Sequence, residues 1–230
     1  MPRRGGLLLA LLFAAPACAQ VSGSVTLLSD YRYHGASLSD GSPTAKLALA
    51  WDRGDGWYAG AQVARVRFDY PGARSEMQAI PYLGHVWVLR PGVTVEAGAQ
   101  YTWFSESSGY GYPEIYVGVS AEHLGARAAW IHDYFGEASA WYGEVNGSRP
   151  LRGRLRAIGH IGVLRQNTYS EGDGGHWRYD VAAGLALALA EFDLQATWTT
   201  ASSDAAGNDA CSPWQCGSRN AWVLQISRTW

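Results

Sequence analysis

The sequence predicts an all-β protein, a transmembrane antiparallel up-and-down β-barrel of about 12 strands, from three observations. Segments of about ten residues alternate apolar side chains with polar or small ones, which is the weak per-strand signature of an outer-membrane barrel. The links between these segments alternate short with long. The composition suits a wall wetted by lipid: 47% hydrophobic, only 17% charged, with 11 Trp and 13 Tyr against 5 Phe, where ordinary soluble domains carry about 25% charged residues. Rings with a polar tip favour places where one end is dry and the other wet. The apolar and aromatic content excludes disorder. A formal net charge of -2 and a pI near 6.3 argue against a nucleic-acid partner.

Residues 1–19 read as a secretory signal peptide. A Met-Pro-Arg-Arg start is followed by the apolar run Leu7 to Ala15 and an A-x-A site at Ala17-Cys18-Ala19, with cleavage expected before Gln20. A retained spanning helix would need about 20 apolar residues. A lipidated Cys18 lacks the large aliphatic residue three places earlier, since Ala15 stands there. Residues 20–230 then form a single outer-membrane β-barrel domain. No later stretch has the length of a spanning helix, and in hydrocarbon every backbone polar group must be paired internally. Only a closed barrel is left.

Taken in order, the expected strands are 21–34, 44–52, 57–68, 77–90, 93–104, 113–124, 126–133, 139–149, 154–165, 176–189, 192–201 and 219–230. In the first, alternation sends Tyr31 and Tyr33 outward, into a lipid-facing girdle with Trp103, Trp177, Trp198 and Trp230, and sends Asp30 and Arg32 inward. The third is awkward. Facing Trp57, Ala59, Ala61 and Val63 outward also exposes Arg65 and Arg67, so a bulge that switches faces is expected. In the fourth, Pro81 cannot donate to a ladder, so pairing is expected to begin at Tyr82. The fifth is clean, with Val93, Val95, Ala97, Ala99, Tyr101 and Trp103 on one parity and Thr94, Glu96, Gly98, Gln100 and Thr102 on the other. The sixth opposes Ile115, Val117 and Val119 to Glu114, Tyr116, Gly118 and Glu122. The tenth opposes Trp177, Tyr179, Val181 and Leu185 to Arg178, Asp180, Gly184 and Ala186; the eleventh opposes Phe192, Leu194, Ala196 and Trp198 to Asp193, Gln195, Thr197 and Thr199. The last strand carries Trp222, Leu224, Ile226 and Trp230 in one parity, a pattern that resembles the C-terminal strand signal of outer-membrane barrels and implies recognition by the barrel-assembly machinery. Arg228 stands where an aromatic is usual and is expected to snorkel. Short links at 53–56, 90–92, 124–125, 150–153 and 190–191 belong on the periplasmic side with both chain ends, and the longer ones face outside. A soluble sandwich has no reason to alternate loop length in this way.

The segment Leu28-Ser29-Asp30-Tyr31-Arg32-Tyr33-His34-Gly35-Ala36-Ser37-Leu38-Ser39-Asp40-Gly41 resembles the first hairpin of the TorF-like putative porins, a proteobacterial family of unknown function. Echoes follow at Gly56-Trp57-Tyr58-Ala59-Gly60, Pro113 to Val119, Asp133-Tyr134-Phe135-Gly136 and Ile226-Ser227-Arg228. His34 and Ala36 depart from the Arg or Lys and the larger aliphatic residue expected there. The resemblance spans essentially the whole mature chain and implies an outer-membrane porin-like protein, with solutes not established for the family.

Inward positions carry both signs: Asp30, Arg32, Lys46, Glu96, Glu114, Glu122, Arg127, Glu144, Arg154, Arg156, Arg178, Asp180 and Asp193. These charges either line a water-filled pore and tune its solute or pair across the lumen and hold the wall. Arg127, Arg154 and Arg156 lie on strands separated by one neighbour, which would make a positive patch suited to a small anionic solute. Inward Ala and Gly such as Ala182, Gly184, Ala186 and Ala188 favour open space. Cys211 and Cys216 frame Ser-Pro-Trp-Gln in the last long loop and are expected to form a disulfide; a metal would need further ligands. No cofactor is implied. A hydrolase reading rests on His132 beside Asp133 and on His176 near acidic residues. Neighbours on a strand face opposite ways, and no nucleophile motif appears. Three functions remain: a passive channel in outer-membrane lipid for a small solute, a barrel-borne hydrolase, or a non-conducting structural or surface-binding barrel.

Overall fold

A computed structural model describes residues 20–68, 74–167, 176–202 and 220–230. The wall is a closed ring of twelve antiparallel strands. They are β1 (Gln20–Leu28), β4 (Thr44–Asp52), β5 (Trp57–Val66), β6 (Glu76–Arg90), β7 (Val93–Phe104), β8 (Tyr112–Ser120), β9 (Leu124–Tyr134), β10 (Ala138–Arg152), β11 (Leu155–Gln166), β12 (His176–Leu189), β13 (Phe192–Ala201) and β14 (Asn220–Thr229). Two short strands, β2 (Arg32–Tyr33) and β3 (Ala36–Ser37), form a separate hairpin between β1 and β4. Each wall strand pairs with its sequence neighbour, and β1 with β14 closes the ring. Gln20 and Trp230 lie at one rim, here the terminal rim, together with the short links; the opposite strand ends make the far rim. Strands 44–52, 93–104, 176–189 and 192–201 fall where alternation predicts them.

Two faces follow from alternation. Leu47, Leu49, Val117, Val119, Ile161, Leu185, Leu224 and Trp222 are exposed on the outside, and Trp103, Trp177, Trp198 and Trp230 share that face. Outward charges sit near the rims. Arg65 donates to Ser75 Oγ at 3.0 Å, Arg165 lies 5.4 Å from the Trp177 ring, and Arg228 pairs with Glu191 in the adjoining link.

The structure corrects several local expectations. No register shift occurs between β4, β5 and β6, so Arg65 stays outward without a bulge and is tolerated because it reaches the far rim. Pairing of β6 begins at Glu76, and Pro81 sits opposite Ala61 of β5. Only on the β7 side does the ladder lapse, between the pairs Ala79↔Trp103 and Tyr82↔Gln100, as a missing N–H requires. A face-switching irregularity occurs instead between β9 and β10, where Ile131 meets Ala140 and Tyr134 meets Ala138. That shift brings Tyr134 fully inside.

Five of the glycines facing inward do not leave empty space. Tyr58 lies opposite Gly84, Tyr82 opposite Gly60, Tyr116 opposite Gly98, Glu96 opposite Gly118 and Asp180 opposite Gly162. In each pair a Cβ on the glycine would overlap the facing side chain. The large side chain therefore lies flat along the wall, over the strand next to its own.

At the closing seam Gly23 and Trp230 exchange two backbone hydrogen bonds of 3.0 Å. A Cβ at Gly23 would stand 2.6 Å from the Trp230 ring. Gly23→Val is expected to lift the indole away and cost about 1–3 kcal/mol. Urea midpoints of the refolded barrel check this, with an unchanged midpoint as the contrary result.

Candidate functional site

After Leu28 the chain leaves the wall and folds into the lumen. Gly35 and Gly41 adopt positive φ (76° and 61°), and so do His34 and Asp40 (47° and 52°), which makes the tight reversals possible. Asp30 organises the segment. It accepts from Arg32 Nε at 2.8 Å, Ser37 Oγ at 2.5 Å and Ser39 Oγ at 3.2 Å, and Ser39 Oγ accepts in turn from the Tyr31 N–H at 2.9 Å. Apolar side chains then fill the far-rim half of the lumen. Tyr31 and Leu38 pack with Phe68, Phe104, Tyr112, Ile131, Tyr134, Phe135 and Leu164 in one buried cluster. Segment 29–43 is therefore a plug.

The plug is tied to the wall at defined points. Arg178 donates to the His34 carbonyl at 2.7 Å and to Tyr134 Oη at 3.1 Å. Tyr31 Oη donates to Gln78 at 2.9 Å, and Gln100 donates to Tyr33 Oη at 3.0 Å. The Arg67 N–H donates to the Leu38 carbonyl at 2.8 Å. The His34 ring stacks on Tyr33 (4.0 Å) and meets the Tyr142 ring at a tilt (4.1 Å). Burial first, and then the Arg178 charge, push the pKa of this loop histidine down to about 3, so it is neutral at ordinary pH.

Below the plug the lumen is polar. Glu96 accepts from Arg127 at 2.7 Å and from Tyr58 Oη at 2.6 Å, and the Arg127 guanidinium lies 4.3 Å from the Tyr116 ring. Gly118 sits between Glu96 and Arg127 in register and so lets the two side chains meet across β8. Arg156 pairs with Asp193, to which Gln195 also donates. His160 faces Asp180 at 2.6 Å through Nε2 and Asn146 Oδ1 at 2.8 Å through Nδ1, with Glu144 at 3.8 Å. Cavities remain, among them one of about 240 Å³ beside Asn146, Ile158, His160, Ala182, Gln195 and Thr197 and two larger ones. One of about 330 Å³ lies directly under the plug between Tyr33, Glu114, Tyr142, His160, Asp180 and Thr199. The other, of about 350 Å³, lies toward the terminal rim among Asp52, Tyr58, Gln62, Tyr82, Tyr116 and Arg127. Among the described residues no group of three or more His, Cys, Asp or Glu is placed to hold a metal ion.

A family model described as a bacterial protein of unknown function, Gcw_chp, matches residues 14–230. The chain belongs to the Gcw_chp family. No curated protein matches it. Among solved structures it is similar to the KdgM porin at TM-score 0.56 and 8% identity, over 90% of this chain and 98% of that one. It is similar to the NanC porin at TM-score 0.55 and 12% identity, over 91% and 99%. A Salmonella typhi OmpF in complex with daunomycin gives TM-score 0.52 at 8% identity, over 92% and 97%. At such identities the likeness is one of fold: this Gcw_chp chain has a porin-like barrel.

The Gcw_chp barrel brings together only some of the residues singled out from its sequence. Glu96 joins Arg127, Arg156 joins Asp193, Asp30 joins Arg32, and Asp180 joins His160. Glu114 accepts from Gln100 at 3.0 Å, and Lys46 lies 5.8 Å from the Tyr31 ring. The arginine patch does not form. Arg127 and Arg156 are each bonded to a carboxylate, and Arg154 lies exposed in the link between β10 and β11. Glu122 is likewise exposed in the link between β8 and β9, beside His123. Tyr31 and Tyr33 are inside rather than in the girdle, because alternation governs only residues that remain in the wall. His132 points outward against Trp130, with ring centroids 5.6 Å apart. Cys211 and Cys216 lie outside the described residues, as do residues 1–19. The plug, His160 and the inward Tyr82 and Tyr142 are the parts that sequence reasoning missed, whereas Tyr116 was placed inward by alternation. The positive-φ glycines at 35 and 41 were the available signal for the plug.

Proposed function

We propose that this barrel is an outer-membrane channel, made for export by a cleaved signal in residues 1–19 and closed in this conformation by segment 29–43. The observation that carries the reading is the polar, cavity-bearing lumen beneath the plug, inside a wall whose outer face is apolar. A wall meant only as an anchor could be filled by side chains, as eight-stranded barrels are. On this reading the solute is small and polar, the short links and both chain ends face the periplasm, and the chain is not an enzyme. The C-terminal strand ending at Trp230 is the part offered to the barrel-assembly machinery, and the TorF-like porins are its relatives. Cys211 and Cys216 would staple the last external loop.

The anion preference expected from the arginines loses its support, since Arg127 and Arg156 are neutralised in place. The sealed far-rim half favours one alternative, a non-conducting barrel. Planar-bilayer recording of the refolded mature protein separates the two. Infrequent openings from a closed baseline are expected. A heat-modifiable, correctly folded barrel that never opens under any voltage or solute would overturn the channel reading.

A further inference from the structure

The 330 Å³ cavity under the plug has an unusual polar lining. Its positive groups are already committed: Arg127 to Glu96, Arg32 to Asp30, and His160 to Asp180 and Asn146. Arg178, behind the plug, is bonded to the His34 carbonyl and to Tyr134. The acids are not matched in the same way. Glu114 keeps one oxygen on Gln100, while its Oε2 has no hydrogen-bond partner although the side chain is only 3% exposed; His34 Nε2 stands 3.9 Å away, and the Arg127 charge acts on it from further off without a hydrogen bond. Glu144, from the opposite side of β9, faces Arg127 across the β9–β10 ladder and interacts with its charge, and it lies 3.8 Å from His160 Nδ1, a nitrogen that already faces Asn146.

Two further buried atoms on lining residues lack partners: Thr199 Oγ1, on a residue 9% exposed, and His34 Nδ1. Each can accept a hydrogen bond. A site with an unmet carboxylate oxygen and further unmet acceptors calls for a ligand rich in donors and positively charged. Buried polar groups without partners are costly, about 1–3 kcal/mol for each.

We infer that this cavity is a binding site for a small primary ammonium ion, held by Glu114 and Glu144 with its aliphatic part against the rings of Tyr33, His34 and Tyr142. An ammonium group brings three donors and no acceptor, which complements this lining. The three rings offer an apolar surface that also favours a cation at its face. A volume of about 330 Å³ stands at the small end of the range for small-molecule sites, about 300–1,000 Å³. A bound metal is disfavoured, since the described residues place no three His, Cys, Asp or Glu together for one. The inference rests on the channel reading only in making this ligand class the channel's solute.

Isothermal titration of the full mature protein in detergent micelles tests the site without conduction. The probes are n-butylammonium, butyrate and butanol, which share a chain and differ in charge. Saturable binding of n-butylammonium is expected, with butyrate and butanol giving none. Glu114→Gln is expected to weaken ammonium binding about ten- to hundredfold, the range for loss of a charge-assisted hydrogen bond. Glu144→Gln, at a less buried position, is expected to weaken it in the same direction and guards against a folding defect in the first variant. Butyrate binding as tightly as the amine overturns the inference, and so does unchanged amine binding in both folded variants. Amine binding with no conductance would sink the channel reading and leave the site standing; conductance with no amine binding would do the reverse.

Discussion

Replacing residues 31–41 by a short Gly-Ser link is expected to convert a barrel that is mostly closed into one that conducts steadily. The wall supports such a change, because the β1–β4 ladder runs without interruption from Gln20↔Asp52 to Leu28↔Thr44 and does not use the plug. Excision removes the buried Tyr31 and Leu38, each worth about 1.5–3 kcal/mol of apolar burial, so stability should fall while the ring persists. A point variant tests the same idea more gently. Arg178→Met keeps the bulk and removes the charge-assisted bond to the His34 carbonyl, worth about 1.5–3 kcal/mol, which corresponds to a rise of tenfold or more in the open-to-closed ratio. Single-channel open probability reads both effects. A deletion variant that folds and remains as closed as the parent would show that the plug does not control passage.

The second large effect concerns the outside. Val117→Arg, near mid-wall on the exposed face of β8, is expected to cost about 2–4 kcal/mol when the barrel folds into lipid vesicles. Arg65 and Arg228 already show where such a charge is tolerated: at the far rim beside Ser75, and at the terminal rim against Glu191. Mid-wall has no such partner or escape to water. Urea titrations in vesicles of the parent and of Val117→Arg provide the measurement. A change below about 0.5 kcal/mol, the ordinary range for surface substitutions, would mean that this face is not in hydrocarbon.

The wall was largely legible in the sequence because a period of two is a local property. Residues 93–104 show on which side of the sheet each side chain stands, and the structure agrees residue by residue. What alternation does not contain is height along the barrel axis and partner across the lumen. Arg127 was rightly placed inward. Its neighbour Glu96 is two strands away and is reached only because Gly118 stands between them, a fact of register rather than of parity. Arg154 and Arg156 illustrate the same limit. They share a parity, but one falls in the link and the other meets Asp193. The plug escaped notice for a different reason. Asp30, Tyr31, Arg32 and Tyr33 alternate like a strand, and only the positive-φ turns that follow reveal that the segment has left the sheet.

The plug begins at the seam that closes the ring. The Ser29 N–H donates to the Leu224 carbonyl at 2.9 Å, and the Leu224 N–H donates to Ser29 Oγ at 2.9 Å, across 195 residues of chain. Only the other pairs of this same β1–β14 seam, such as Ser24↔Thr229, join residues farther apart in sequence, and loop-closure entropy makes contacts of this span the costliest to establish early. Until the last strand docks, the root of the plug has neither of these bonds. Completing the circle and sealing the passage are thus steps of one assembly event, and a newly inserted barrel would be born shut.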